Sequence, residues 1–281
     1  MIDTLNSVLN QTYPNIQLII ADDGSKDNTK KLIEEWIKEK RPDTTFLNHK
    51  INQGVTKNLN SAIPYIKGEF YQFIGCEDNM LPQKIEQQVQ LLQSNPEFSI
   101  AYSDMQLMDT GGNIMPQTHY QQFVEEVPCS GDIYGELIKK CFITTPTALM
   151  RTEVLRTIEG DNEKLDINDY DFWIRASKHF KFLFHNDITM QYRVVPNSLS
   201  RRGGILIYKN SYLVYYLNYD KRKPFREVFD KRMMFYFKNL AAAGYKYTSV
   251  YAVKAFLKSY DWYYLYLGLR RMPLLLNGKL N

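Results

Sequence analysis

Cysteine is scarce in this chain, with three among 281 residues. Cys76, Cys129 and Cys141 share no metal-ligand spacing, and their odd number argues against a disulfide framework, so a reducing cytosol fits best. Histidine is almost as scarce: His49, His119, His179 and His185 have no ligand spacing and read as surface or core residues. Long apolar runs are missing as well. Nothing approaches the ~20 apolar residues that a membrane-spanning helix requires. The longest tract, WYYLYLGLRRMPLLL at 262–276, is interrupted by Arg270, Arg271 and Pro273. It has the make-up to lie on a membrane, not to cross one. The opening MIDTLNSVLNQTYPN shows neither the basic n-region nor the apolar h-region of a signal peptide. Internal repeats and low-complexity tracts are lacking too.

What remains is an ordinary globular composition, 44% hydrophobic and 23% charged. Its length suits one large α/β domain, or one domain with an appendage. Charge is uneven. Residues 1–204 hold 21 Lys or Arg against 27 Asp or Glu, a net −6, whereas residues 205–281 hold 14 against 4, a net +10. Two readings of this basic, aromatic tail stand side by side: a segment that meets an anionic surface, or solvated helix faces.

Along the chain, Leu5, Val8 and Leu9 mark a first helix. IQLIIA (16–21) has the continuous apolar character of a strand buried on both faces, and ends in the polar turn DDGSKDNT. Leu32, Ile33, Trp36 and Ile37 recur at helical spacing. TTFLN reads as a strand, INQG as a loop, and Val55, Leu59, Ala62, Ile63 and Ile66 as a second amphipathic helix. GEFYQFI (68–74) is the next strand, followed by a helix with Pro82 in its first turn and a stripe of Ile85, Val89 and Leu92. SIAYSD (99–104) is a further strand, and MDTGGNI supplies a hairpin turn. Residues 112–150 look like a loop-rich insertion, and DYDFWIRASKHF like a helix. The alternation predicts an α/β domain with a mainly parallel sheet flanked by helices. QYRVVPNSLSRRGG ends it, giving domains 1–204 and 205–281, the second a helical extension.

Two acidic clusters fall at strand carboxyl ends, where ligands of such sheets sit. They are Asp22-Asp23 and, within FIGCEDNMLP, Glu77-Asp78. Taken alone, an acidic pair among Gly and Asn is a turn signal. The shared position at strand ends favours a site.

The blocks SVLNQTYPNIQLIIADDGSKDNT, NQGVTKNLN, KGEFYQFIGCEDNMLPQKI, AYSD and NDYDFWIR resemble, in order and rough spacing, those of family 2 glycosyltransferases. The resemblance covers about residues 1–200 and implies a GT-A (Rossmann-like) fold, a nucleotide-diphospho-sugar donor and transfer with inversion. It implies Asp78 as direct metal ligand with Glu77 beside it, holding Mn²⁺ or Mg²⁺ and the ribose. It implies Asp22 or Asp23, with Asp23 preferred, on the N–H of a uracil ring; the same residues also suit turn and capping roles with Ser25 and Asp27. Asn52 and Gly54 match a loop near the nucleotide, with Lys57 a candidate for the phosphates. Asp169 matches the base that takes the acceptor's proton, although a helix cap is its alternative use. Tyr192, Arg193 and Ser198 resemble a mobile segment near the diphosphate.

Departures from the pattern accompany it. Gly75 stands where many members carry the acidic motif's first Asp, Leu59 where some carry Arg, Asn168 in place of the more usual Glu, and Val195 in place of His. The family's first strand would precede Met1. A start placed too late is the expectation, with a natural fragment as the other reading. The functional expectation is an inverting, metal-dependent transferase using a UDP-sugar and a saccharide or lipid-linked saccharide acceptor in cell-surface polysaccharide synthesis. Its place is the cytoplasm, peripheral on the inner face of the membrane. The rival is a non-catalytic nucleotide-sugar-binding or partner subunit. For the tail, MMFYFKNL and the 262–276 tract suggest a membrane surface, against a packed helical subdomain or a homo-oligomer interface. Nucleic acid is not expected, because no nucleic-acid module accompanies the charge.

Overall fold

The computed structural model describes residues 1–124, 128–166, 169–196 and 203–268. Asn168, Ser198 and the end of the 262–276 tract lie outside the described residues. The chain divides into two compact units, Met1–Leu137 with Cys141–Val195, and Ile138–Lys140 with Pro196–Asn281.

The first unit opens with α1 (Ile2–Leu9), which buries Leu5 and Val8 and leaves Leu9 exposed. β1 (Ile19–Asp22), α2 (Thr29–Lys40), β2 (Thr45–Asn48) and α3 (Val55–Ala62) follow. β1 and β2 pair in parallel, Ile19 opposite Thr45, as a two-stranded sheet of their own. β1 is only half-buried along most of its length, not closed on both faces as its apolar run suggested.

Next come β3 (Phe70–Gln72), β4 (Asn79–Met80), α4 (Lys84–Ser94) and β5 (Ile100–Met108). Pro82 lies just ahead of α4, not inside its first turn, and its carbonyl accepts the Thr12 N–H. The region 112–150 holds more than loops: β6 (Ile114–Thr118), α5 (His119–Phe123) with a Thr118–Gln121 capping box, α6 (Tyr134–Leu137) and β7 (Leu149–Arg151). α7 (Thr152–Thr157), α8 (Asp169–Ala176) and β8 (Phe182–Arg193) complete the unit.

The larger sheet runs β3-β7-β5-β8-β4, with β6 on β5. The α/β class with flanking helices holds, and the sheet is mixed within it. β5 and β8 are parallel, whereas β7 runs antiparallel between β3 and β5, and β4 and β6 also pair antiparallel. β7 and β4 have three and two residues, too few for a period-2 pattern to show. Side chains alternate across β5. Ile100 and Tyr102 enter one core with Trp173 and Phe182, while Ala101 and Met105 enter another with Val89 and Met190. Burial on both faces explains why Ile100, Ala101 and Tyr102 are apolar in succession.

Between α4 and β7 lies an unusual polar knot. Lys84 is fully buried, and its Nζ donates to Gln88 Oε1 at 2.6 Å and to the Thr147 carbonyl at 3.0 Å. Gln88 Nε2 donates to that same carbonyl at 2.8 Å and lies 2.9 Å from His185 Nε2. Desolvation pushes the Lys84 pKa well below the ordinary lysine range.

The second unit contains α9 (Gly204–Leu217), α10 (Phe225–Ala242) and α11 (Thr248–Ser259). Phe229, Met233, Phe237 and Leu240 recur at helical spacing along α10 and are fully buried, with Tyr212 and Tyr215 of α9. Tyr212 Oη donates to the Tyr251 carbonyl at 3.0 Å. The aromatic MMFYFKNL stretch thus buries Met233, Phe237 and Leu240 and exposes Phe235 and Lys238. Among the described residues no helix is long and apolar enough to cross a membrane.

Candidate functional site

Three groups of polar residues gather in the first unit. In the first, β1 ends at Asp22, whose carboxylate accepts the Ser25 N–H at 3.0 Å and the Ser25 hydroxyl at 2.5 Å. Asp22 therefore closes its own turn. Asp23 turns the other way. Its Oδ1 accepts the Gln53 N–H and its Oδ2 the Gly54 N–H, both at 2.8 Å, so Asp23, Asn52 and Gly54 come together. Asn52 Oδ1 also accepts the Gly54 N–H, at 3.1 Å. Gly24 permits this closeness: its φ is +79°, and a Cβ would lie 3.0 Å from Asn52 N. A carboxylate has about four acceptor positions, so Asp23 can take a further N–H donor. Lys57 is exposed on α3.

The second group lies beyond β3. Asp78 is buried and Glu77 exposed. Asp78 Oδ1 accepts the Arg193 N–H at 3.0 Å, and Arg193 Nε donates to the Glu77 carbonyl at 3.1 Å. Arg193 Nη1 reaches the carbonyls of Asp109 and Thr110 in the β5–β6 hairpin. The guanidinium thus binds carbonyls while the backbone N–H of Arg193 holds Asp78. Burial pushes the Asp78 carboxyl up to about 6; the Arg193 N–H opposes this and the neighbouring Glu77 charge adds to it. Gly75 leaves room beside this carboxylate, since a Cβ there would sit 3.5 Å from Asp78 Oδ2. Among the described residues no three His, Cys, Asp or Glu gather as a metal cage. One buried, under-compensated carboxylate with an exposed one beside it fits a Mg²⁺ or Mn²⁺ that shares its coordination with phosphate oxygens.

The third group surrounds a small pocket lined by Leu59, Tyr71, Phe73, Thr145, Asp161 and Asp169, with Met150, Leu155 and Phe172. Asp169 opens α8, and desolvation raises its carboxyl pKa. The residue as a whole is exposed at the start of the helix. The Thr145 hydroxyl, buried beside it and without a well-formed hydrogen bond among the described residues, favours the charged carboxylate. The loop ahead of α8 is strapped to α3. Thr56 Oγ1 donates to the Leu165 carbonyl at 2.9 Å, and Asn60 exchanges hydrogen bonds with the Asp161 backbone, both at 2.9 Å. Arg175 anchors the same loop by donating to the Gly160 carbonyl at 2.8 Å while paired to Asp171 at 2.7 Å.

Sequence reasoning missed Asp161, Thr145 and Tyr71 as pocket residues. The loop-rich reading of residues 112–150 took in Thr145 without singling it out. Leu59, noted as a helix-stripe residue and as a departure, is a wall of the pocket.

A family model described as Glycosyl transferase family 2 matches residues 1–159. The uncharacterized glycosyltransferase MJ1057 of Methanocaldococcus jannaschii is 24% identical over 239 residues, covering 83% of this chain and 80% of its own. The Escherichia coli UDP-Glc:alpha-D-GlcNAc-diphosphoundecaprenol beta-1,3-glucosyltransferase WfaP is 28% identical over 201 residues, covering 70% and 73%. Relatives from Rickettsia are longer, and the chain spans 59% or less of their length. Among solved structures, S. aureus TarS 1–349 in complex with UDP-GlcNAc superposes with a TM-score of 0.65 at 16% identity, covering 99% of this chain and 83% of that one. The likeness is one of fold, of GT-A type.

Proposed function

Because the chain belongs to glycosyl transferase family 2, we propose that it moves a sugar from a uridine-diphosphate donor to a saccharide acceptor, with inversion at the anomeric carbon. The transfer chemistry is assigned to residues 1–204. The observation that carries the reading is the pocket whose lining brings Asp169 together with Phe73, the residue that follows β3.

Asp23, held by the Gln53 and Gly54 N–H groups, accepts the N–H of the pyrimidine base, with Asn52 and Gly54 beside it. Lys57 and Arg193 lie on the diphosphate side. Asp169 takes the proton from the acceptor hydroxyl as its oxygen attacks the anomeric carbon, and the bond from that carbon to the diphosphate breaks on the opposite face. A raised pKa suits this role, since a base is best matched near the working pH. Leu59, Tyr71 and Phe172 supply the apolar walls that orient a sugar ring. Asp78 and Glu77 would hold a divalent cation, which when bound neutralises charge on the departing diphosphate. A lipid-linked saccharide is the acceptor class proposed, supported by the acceptor in the name of the E. coli relative. The free cysteines support a reducing, cytoplasmic setting.

The test is UDP release by the full chain, with a panel of UDP-sugars and saccharide acceptors, with and without Mn²⁺. Asp169→Asn is expected to lower turnover about 10²–10⁴-fold while UDP affinity stays. Asp78→Asn is expected to weaken metal-dependent UDP binding. Wild-type turnover in Asp169→Asn would remove the base assignment. Donor binding without turnover of any donor would leave a non-catalytic nucleotide-sugar-binding protein.

A further inference from the structure

α11 carries two apolar faces. Ala252 and Ala255, with Thr248 and Ser259, are buried in the second unit. On the opposite side, at spacings of three and four, Val250, Val253 and Leu257 are all exposed. A surface helix ordinarily turns a polar face outward. Here only Lys254 and Lys258 border the stripe, and α11 contains no acidic residue. Exposed aromatics extend it at both ends, Tyr247 on one side and Tyr260 and Trp262 on the other, Trp262 being 72% exposed.

The charges of this unit are sorted in a telling way. Three of its four acids are engaged: Asp220 pairs with Arg222 at 2.6 Å, Asp230 with Arg226 at 3.4 Å, and Asp261 accepts the Tyr263 N–H at 2.9 Å, while Glu227 in the first turn of α10 is exposed. Lys221, Lys238, Lys246, Lys254 and Lys258 instead lie over tyrosine rings at 5.0–5.8 Å. None of the five has a carboxylate partner among the described residues. An apolar stripe is thus bordered by cations and tipped with Tyr and Trp. Such a helix lies in a bilayer interface, apolar residues among the acyl chains and lysines at the headgroup phosphates. A second copy fits less well, because a two-fold contact would set this lysine border against itself. Nucleic acid would leave the Val–Leu stripe unmatched.

We propose that α11 and the Tyr260–Trp262 turn form a docking face for an anionic lipid surface. The inference is independent of the transferase reading, and its test reads binding alone. Trp36 and Trp173, the other two tryptophans, are 6% and 0% exposed, so a change in tryptophan emission reports on Trp262. The full chain is titrated with phosphatidylcholine vesicles, with and without about 30% phosphatidylglycerol. Expected is a blue shift, with protection from an aqueous quencher, on anionic vesicles only, and loss of both in Trp262→Phe while sedimentation with vesicles largely remains. Lys254→Glu with Lys258→Glu is expected to weaken binding about tenfold or more, and Val253→Asp with Leu257→Asp to abolish it. Should the latter pair disturb folding by circular dichroism, the lysine pair decides. Equal binding to neutral vesicles, or none to anionic vesicles at low salt, overturns the proposal. So does a dimer, seen by light scattering, that dissolves in the Val253/Leu257 variant while vesicle binding is absent.

Discussion

Asp78 and Asp169 are both carboxylates whose pKa is raised by loss of water, but their neighbours differ. Asp78 accepts a backbone N–H and has Glu77 beside it, which suits a charge waiting for a cation. Asp169 has apolar walls and the Thr145 hydroxyl, which suits a group that takes up and releases a proton. As a base it works only when deprotonated. The acid limb of the kcat/KM profile is therefore expected above the ordinary carboxylate value of about 4, and a limb at or below that value removes the role. Lys84 carries a different pH effect. Its folded pKa is depressed, so between that value and its unfolded value of about 10.4 the unfolded chain holds a proton that the folded chain lacks. Stability then rises with pH across that window, by linkage. Lys84→Met, which keeps the volume and leaves Gln88 to serve the Thr147 carbonyl, is expected to flatten the rise. Thermal unfolding of both proteins at two pH values just below the unfolded value of about 10.4 checks it.

At the scale of elements, Gly24 shows how a turn can serve two loops at once. Gly24→Ala forces a side chain onto a φ of +79° and against the backbone of Ile51 and Asn52 at 3.0 Å. It is expected to cost at least about 1 kcal/mol of stability and to loosen the Asp23 contacts. Calorimetry should show weaker UDP binding and a lower Tm with an unchanged far-UV spectrum. The turn itself was legible, since DDG after an apolar run has a local cause. So were α1 to α4, whose stripes repeat within a few residues. β4 and β7 were hidden by their brevity, and the strap from α3 to residues 159–166 because Thr56 and Asn60 find partners about a hundred positions away. In the second unit, aromatic density drew attention to α10, yet its Phe229, Met233 and Phe237 proved to be core. The exposed stripe lies on α11, where Val and Leu among Ala and Lys look unexceptional until the inward face is known.

For the molecule as a whole, the opposite signs of the two charge blocks were readable by counting, whereas the sorting of arginines to carboxylates and lysines to tyrosine rings needed coordinates. The site residues lie far apart in the chain, and so do the bonds that hold them. Thr56 meets Leu165 across 109 positions, Asn60 meets Asp161 across 101, and Asp78 meets Arg193 across 115. Contacts of that span close large loops before they repay the lost entropy, and topologies rich in them fold slowly. Helices with local stripes, such as α2 and α10, have no such wait. Competence for the nucleotide should therefore arrive late in folding: in a refolding mixture, the far-UV signal recovers first and capture of a fluorescent UDP analogue trails it. Simultaneous recovery would mean that the straps form with the helices. A chain that gains its site last spends its time as a folding intermediate unable to hold a nucleotide sugar.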